Sequence, residues 1–122
     1  MQKTLLQFLR FNLIGIVNTL FGFSIILLLM YIGFSATSSN AIGYGLGALL
    51  SYYLNRKYTF KAHHTTKQAL KFFTILAVAY ILNYLTLQWL LTLANPYVAQ
   101  FGSAVIYTLS SFILFKVFVF KG

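Results

Sequence analysis

Residues 55–71 read NRKYTFKAHHTTKQALK, and this basic segment divides an otherwise apolar chain into two halves. It contains five of the nine lysine and arginine residues. Two long apolar stretches precede the segment and two follow it, which is typical of two successive membrane hairpins. Because short loops rich in lysine and arginine stay in the cytoplasm during insertion, this segment predicts how the whole chain is oriented in the bilayer.

The composition excludes a soluble domain. Of the 122 residues, 60% are hydrophobic and 7% are charged, whereas soluble domains carry about 25% charged residues. Aspartate, glutamate and cysteine do not occur in the sequence, so the cations lack side-chain counter-ions and thiolate chemistry is excluded. We therefore expect an integral membrane protein whose cations bind external anions, either anionic membrane lipids or a phosphate-bearing lipid ligand.

The apolar stretches predict an all-α fold, a membrane bundle of four helices arranged as two tandem hairpins. We place the helices at Phe11–Gly33, Asn40–Lys57, Phe72–Leu93 and Tyr97–Phe115, with a turn from Phe34 to Asn40. All nine cations lie before the first helix, between the second and third, or after the fourth. This distribution predicts that the N-terminus and the C-terminus are both cytoplasmic.

The two halves of the chain resemble each other. Residues 7–11 (QFLRF) align with residues 68–72 (QALKF) at an offset of 61, and residues 56–61 (RKYTFK) align with residues 116–121 (KVFVFK) at an offset of 60. We therefore predict a tandem duplication within one domain, residues 1–122, with repeat halves at about 7–61 and 68–121. Sites in proteins built from such repeats lie between the repeats.

Small residues mark helix faces that favour close packing. In the second helix Gly43, Gly47 and Ser51 recur at every fourth position, and in the first helix Gly15 and Gly22 share a face. Such spacing lets helix backbones approach closely in lipid. We expect these five residues to pack helices together, and the stripe on the second helix to support a homo-oligomer, most simply a dimer.

A cation stands at each equivalent helix end. Arg10 and Lys71 stand at the starts of the first and third helices, and Arg56 and Lys116 stand at the ends of the second and fourth. These four side chains are candidates for a ring that binds a phosphate, to which the planar fork of arginine is well suited. The alternative is that they only anchor the helix ends at the membrane surface.

Polar side chains also occur at membrane depth. Asn18 and Thr19 lie on the face of the first helix that carries the glycines, Asn55 ends the second helix, and Tyr80 and Asn83 share a face of the third. Their amides and hydroxyls are candidates for binding sugar hydroxyls along a translocation path. The alternative is that each bonds only to a neighbouring helix.

Three segments resemble the GtrA-like proteins. They are residues 10–19 (RFNLIGIVNT), residues 55–60 (NRKYTF) and residues 116–120 (KVFVF), in the order and spacing of that family. The resemblance implies a role in moving polyprenyl-phosphate-linked sugars from the cytoplasmic to the outer leaflet, often beside a membrane glycosyltransferase. It implies no catalytic residues. Lys57 departs from the family, which more often has an aromatic or neutral residue there.

Other kinds of site are not expected. His63 and His64 are adjacent and have no carboxylate or thiolate companions, so we predict no metal site. The glycines from Gly43 to Gly47 lie in an apolar helix and lack the lysine of a nucleotide-binding loop. Without a membrane carboxylate, proton coupling has no obvious titrating group. We expect no cofactor and no nucleic-acid partner.

The sequence therefore leads to the hypothesis of a non-enzymatic, passive flippase in the bacterial cytoplasmic membrane. Its ligand would be a polyprenyl-phosphate-linked monosaccharide used to glycosylate cell-surface polysaccharide. The alternative hypothesis is a scaffold that anchors a polyprenyl-phosphate glycosyltransferase without transporting anything. A pore is not favoured, because none of the four helices has the continuous charged face that a pore-forming helix would be expected to show.

Overall fold

The computed structural model describes residues 2–60 and 66–118. They form the helices α1 (Gln2–Tyr31), α2 (Ala36–Asn55), α3 (Thr66–Leu91) and α4 (Pro96–Phe118), with a π-helical segment, Arg56–Phe60, after α2. The prediction of an all-α fold with four helices is confirmed. Lys61, His63, His64, Thr65 and Lys121 lie outside the described residues.

All four helices begin earlier than the sequence predicted, and the difference is largest for α1 and α3. α1 begins at Gln2 rather than Phe11, and α3 begins at Thr66 rather than Phe72. The predicted limits followed the apolar residues, but a helix continues past the hydrocarbon wherever its backbone bonds can form. The 30 residues of α1 rise about 45 Å at 1.5 Å each, which exceeds a hydrocarbon core of about 30 Å.

The turn predicted from Phe34 to Asn40 is shorter in the structure, because α2 already begins at Ala36. Ser35 is the N-cap, and its hydroxyl oxygen accepts a hydrogen bond from the Ser38 N–H at 3.1 Å. On the other side of the turn, Gly33 has a φ of 109°, and the Phe34 N–H donates to the Leu29 carbonyl at 2.9 Å. This is a Schellman ending, in which glycine supplies the left-handed residue.

The helices are paired as two hairpins, α1 with α2 and α3 with α4, and these are the two most extensive helix interfaces. The turns within the hairpins are short, at residues 32–35 and 92–95, so each pair is antiparallel. Between the hairpins α2 packs against α3, whereas α1 and α4 make little contact. The bundle is therefore least tightly packed between α1 and α4.

Three helices are long and apolar enough to cross a membrane, namely α1 from Leu5, α3 and α4. α2 is the exception, because small and polar residues dilute its hydrophobicity. Those residues face the protein: Ser39, Asn40, Ser51 and Asn55 are all buried. The exposed residues of α2 include Ile42, Leu46, Leu49 and Tyr53, so this helix also presents an apolar face to lipid.

Successive helices run in opposite directions. The start of α1, the end of α2, the start of α3 and the end of α4 therefore lie at one end of the bundle. Every cation among residues 2–60 and 66–118 lies in these parts of the chain. We call this the cationic end. The turns at residues 32–35 and 92–95 form the opposite end and carry no charged residue.

Candidate functional site: a cavity between the two hairpins

A cavity of about 450 Å³ lies between the hairpins at membrane depth, bounded mainly by α1, α2 and α4, with Leu76 of α3 also in its wall. Its size is within the range of about 300–1,000 Å³ that is usual for ligand pockets. Apolar side chains make up most of its wall, and Ile16 and Leu20 form part of an exposed rim. Its polar lining includes Asn12, Asn18, Thr19, Ser51, Thr108 and Ser111. The cavity is thus accessible from the lipid-facing surface.

Gly15 opens space in the wall of this cavity. The sequence predicted that Gly15 packs helices together. In the structure, no atom lies within 4 Å of the position that its Cβ would occupy. Gly15 instead lines the cavity, because α1 and α4 diverge here.

Asn18 is the predicted path residue whose surroundings are most unusual. It lines the cavity, and both polar atoms of its amide are buried without a hydrogen-bond partner among residues 2–60 and 66–118. Thr19 lines the same cavity, but its hydroxyl donates to the Gly15 carbonyl one turn earlier, at 2.8 Å. An amide in this state is available to a ligand, whereas the threonine hydroxyl already has a partner.

The other predicted small residues lie where α1 and α2 meet. A Cβ on Gly43 would stand 2.9 Å from the Gly22 carbonyl oxygen and would also collide with Ile26. Gly47 is looser, with the Asn18 carbonyl oxygen 3.9 Å from its Cβ position. The stripe of Gly43, Gly47 and Ser51 is therefore buried within one chain, with the two glycines facing α1 and Ser51 in the wall of the cavity, so a homo-oligomer would have to use another surface.

Two further predicted path residues lie away from the lining of the cavity. Asn55 is fully buried, and its Nδ2 donates to the carbonyl and hydroxyl oxygens of Ser51 at 2.9 and 3.2 Å. Tyr80 packs edge-on against Tyr44, with 5.9 Å between the ring centroids. Asn55 thus bonds to a residue of its own helix, and Tyr80 packs against a ring of α2, which is the alternative considered from the sequence.

Asn83 belongs to a cluster of buried amides between the cavity and the opposite end, which we call the amide cluster (Asn40, Asn83 and Gln100). Asn83 Nδ2 donates to Asn40 Oδ1 at 2.8 Å, and Asn40 Nδ2 donates to Gln100 Oε1 at 2.9 Å. Gln100 Nε2 donates to the Ala36 carbonyl at 2.8 Å. The cluster joins α2 to both helices of the second hairpin.

Aromatic rings separate the cavity from the cationic end. Phe11 and Phe115 pack with 4.4 Å between ring centroids, and Phe72 lies 5.3 Å from Phe115. Phe8 and Phe112 pack beside them at 5.3 Å. Phe11, Phe72 and Phe115 are buried, so in this structure the cavity is closed toward the cations and open toward lipid.

The four predicted phosphate-binding cations are exposed at the cationic end, and none of them lines the cavity. Lys71 Nζ donates to the Phe118 carbonyl at 3.2 Å. Arg10 borders a second cavity of about 360 Å³ that Tyr58 also lines. The structure therefore places Arg10, Arg56, Lys71 and Lys116 at the same end of the bundle, beyond the aromatic rings.

The comparison with known families agrees with this architecture. The chain matches the model of the family described as "GtrA/DPMS, transmembrane domain" over residues 10–120, which includes all four helices. No curated protein and no solved structure matches it. Because the match extends over nearly the whole sequence, the chain belongs to the GtrA/DPMS transmembrane domain family.

Proposed function

We propose that this protein moves a polyprenyl-phosphate-linked monosaccharide between the leaflets of the bacterial cytoplasmic membrane. Family membership supports a part in lipid-linked sugar translocation. The observation that carries the proposal is the cavity at membrane depth between the hairpins, with an unpaired amide in its wall. A polar headgroup crossing the bilayer needs such a place, since hydrocarbon offers its hydroxyls no hydrogen bonds.

Each part of the ligand has a matching part of the protein. The prenyl tail stays in lipid, against the exposed apolar rim formed by residues such as Ile16 and Leu20. The sugar occupies the cavity beside Asn18. Before the sugar enters the cavity, the phosphate binds at the cationic end, where Arg56 offers a bidentate guanidinium. Passage between the cations and the cavity requires the rings of Phe11 and Phe115 to separate.

The proposed translocation is passive and involves no chemical reaction. The sequence contains no aspartate or glutamate, so coupling to protons through a membrane carboxylate is unavailable. Net movement then follows the supply of lipid-linked sugar on one leaflet and its consumption on the other. A membrane glycosyltransferase that makes the ligand is a natural partner, and a homo-oligomer remains part of the proposal.

Reconstitution tests the proposal. Proteoliposomes containing a fluorescent prenyl phosphosugar in both leaflets are treated with a membrane-impermeant quencher. Without protein only the outer-leaflet half of the fluorescence is lost, and with the protein we expect nearly all of it to be lost. If the protein leaves the inner-leaflet half protected, the scaffold hypothesis is favoured over translocation.

A further inference from the structure

The unpaired amide of Asn18 has no structural role that the described contacts explain. Its oxygen and nitrogen are both buried in the wall of the cavity, without a partner among residues 2–60 and 66–118. A buried polar group left in this state is unfavourable, and native structures rarely retain one without a reason. The neighbouring Thr19 shows the usual solution, since its hydroxyl bonds to its own helix.

Comparison of the two hairpins shows that an asparagine is not needed here for packing. At the offset of 61 residues, Asn18 corresponds to Ala79 and Gly15 to Leu76. Ala79 is fully buried and Leu76 belongs to the core of the second hairpin. At these two positions the second hairpin packs apolar side chains. The first hairpin instead has the Asn18 amide and a glycine, Gly15, that faces open space.

The chemistry of the cavity determines what this amide can bind. An asparagine amide offers two donors and one acceptor oxygen, and a hydroxyl group both donates and accepts. Among the described residues that line the cavity, none has a charged side chain. The phosphate that crosses with the sugar already brings one negative charge to this depth, so a second negative charge on the sugar would lose its hydration without gaining a counter-ion, which is costly.

We propose that the cavity admits a hydroxyl-bearing sugar without a charge of its own and disfavours an acidic sugar, with Asn18 as the principal hydrogen-bonding residue. This deepens the proposed function and rests on it for the nature of the tail and the phosphate. The cations bind the phosphate of any prenyl phosphosugar before it enters the bundle, and the cavity selects among sugars. The expected ligand is an ester of a neutral sugar rather than of a uronic acid.

Equilibrium binding in detergent tests the selectivity directly. The probes are two-isoprene prenyl phosphate esters of a neutral hexose and of a hexuronate, titrated calorimetrically into the purified full chain. We expect the hexose ester to bind at least about tenfold more tightly than the hexuronate ester, which carries a second negative charge. Asn18→Ala should weaken binding of the hexose ester by about tenfold, the effect of losing one or two hydrogen bonds, and leave the hexuronate ester unchanged.

Thr86→Ala provides the matched control, because the Thr86 hydroxyl donates to the Leu82 carbonyl of its own helix and does not line the cavity. Its binding of the hexose ester should equal that of the parent. Asn18→Ala introduces the residue that occupies the equivalent buried position of the second hairpin, so the variant should fold. Circular dichroism and gel filtration check this before titration.

Equal affinities for the hexose and hexuronate esters would overturn the inference, as would an Asn18→Ala variant that binds the hexose ester like the parent. A failure of the proposed translocation gives a different result from a failure of the proposed selectivity. Selective binding in detergent without leaflet exchange in proteoliposomes contradicts translocation alone. Leaflet exchange that does not discriminate between the hexose and hexuronate esters contradicts the selectivity alone.

Discussion

Asn40 and Gln100 are joined by a hydrogen bond of 2.9 Å between two positions 60 residues apart, the offset that relates the ends of the two halves. These residues are thus equivalent under the proposed duplication, and they meet where α2 faces α4. In a two-fold arrangement a position contacts its own equivalent only close to the axis. The contact supports the predicted tandem duplication and would place the axis that relates the hairpins near the amide cluster.

Loss of the Asn40 side chain should weaken the bundle measurably. Asn40→Ala removes the hydrogen bonds to Asn83 and Gln100 and leaves their amides buried, which should cost about 1–3 kcal/mol of unfolding free energy. Unfolding in SDS, followed by circular dichroism, measures this cost. Thr86→Ala, which removes a bond within one helix, should stay within about 0.5 kcal/mol of the parent. Equal stabilities of the two variants would contradict a structural role for the cluster.

The crossing of α1 and α2 should tolerate no side chain at Gly43. A methyl group there would contact Ile26 and stand 2.9 Å from the Gly22 carbonyl oxygen, so Gly43→Ala should destabilise the protein by about 1–3 kcal/mol. Gly45 is on the same helix with nothing within 4 Å of its Cβ position. Gly45→Ala should therefore be neutral or stabilising by up to about 1 kcal/mol. The same SDS titration compares them, and a Gly43→Ala variant as stable as Gly45→Ala would show that the helices do not pack this closely.

The sequence predicted the number and order of the helices because apolar length is a local property. The amide cluster was harder to predict, since it depends on how two hairpins face each other. Gln100 was not recognised as a buried residue. One signal was nevertheless present: the offset of 60 residues aligns Asn40 with Gln100, and Ser39 with Ala99, and all four are buried.

The cavity also depends on packing that a single sequence does not specify. Asn18 and Thr19 were predicted to line a path, and both do line the cavity. Asn12, Thr108 and Ser111 were missed, because recognising them requires knowing that α1 and α4 diverge. Gly15 and Gly22 share a face of α1, but their surroundings differ. A Cβ on Gly22 would lie 3.3 Å from the Gly43 carbonyl oxygen, whereas a Cβ on Gly15 would face open space.

The orientation of the bundle gives a separate prediction. If the cationic end is cytoplasmic, cysteines introduced at the opposite end should react with an impermeant maleimide added to intact cells. Ser38→Cys and Leu93→Cys test this, since both residues are exposed near the turns. Thr66→Cys, exposed at the start of α3, should react only after the cells are opened. Labelling of Thr66→Cys in intact cells would reverse the predicted topology.

Arg56 should contribute to phosphate binding beyond its charge. Arg56→Lys keeps the cation for membrane insertion but loses the bidentate fork, so the protein should insert normally and bind a prenyl phosphosugar about ten- to a hundredfold more weakly. Lys67→Gln removes an exposed cation that is not one of the four at the repeat-equivalent helix ends, and should bind like the parent. If Arg56→Lys binds like the parent while Lys67→Gln does not, the phosphate is held elsewhere.

The central claim is that the ligand crosses the membrane through the cavity between α1 and α4. Gly15→Leu would fill part of the 450 Å³ cavity while meeting no atom within 4 Å of its Cβ. Leucine also favours helix by roughly 1 kcal/mol over glycine. The variant should therefore fold at least as well as the parent and fail to transport. Gly45→Leu makes the same chemical change on the exposed face of α2, away from the cavity.

The decisive measurement is the rate at which a fluorescent prenyl phosphosugar exchanges between leaflets in proteoliposomes that contain the parent, Gly15→Leu or Gly45→Leu in equal amounts. We predict that Gly45→Leu exchanges the lipid at the parental rate, whereas Gly15→Leu falls to the rate of protein-free liposomes. Exchange by a folded Gly15→Leu variant at the parental rate would contradict the account, because the ligand would then cross without using the cavity.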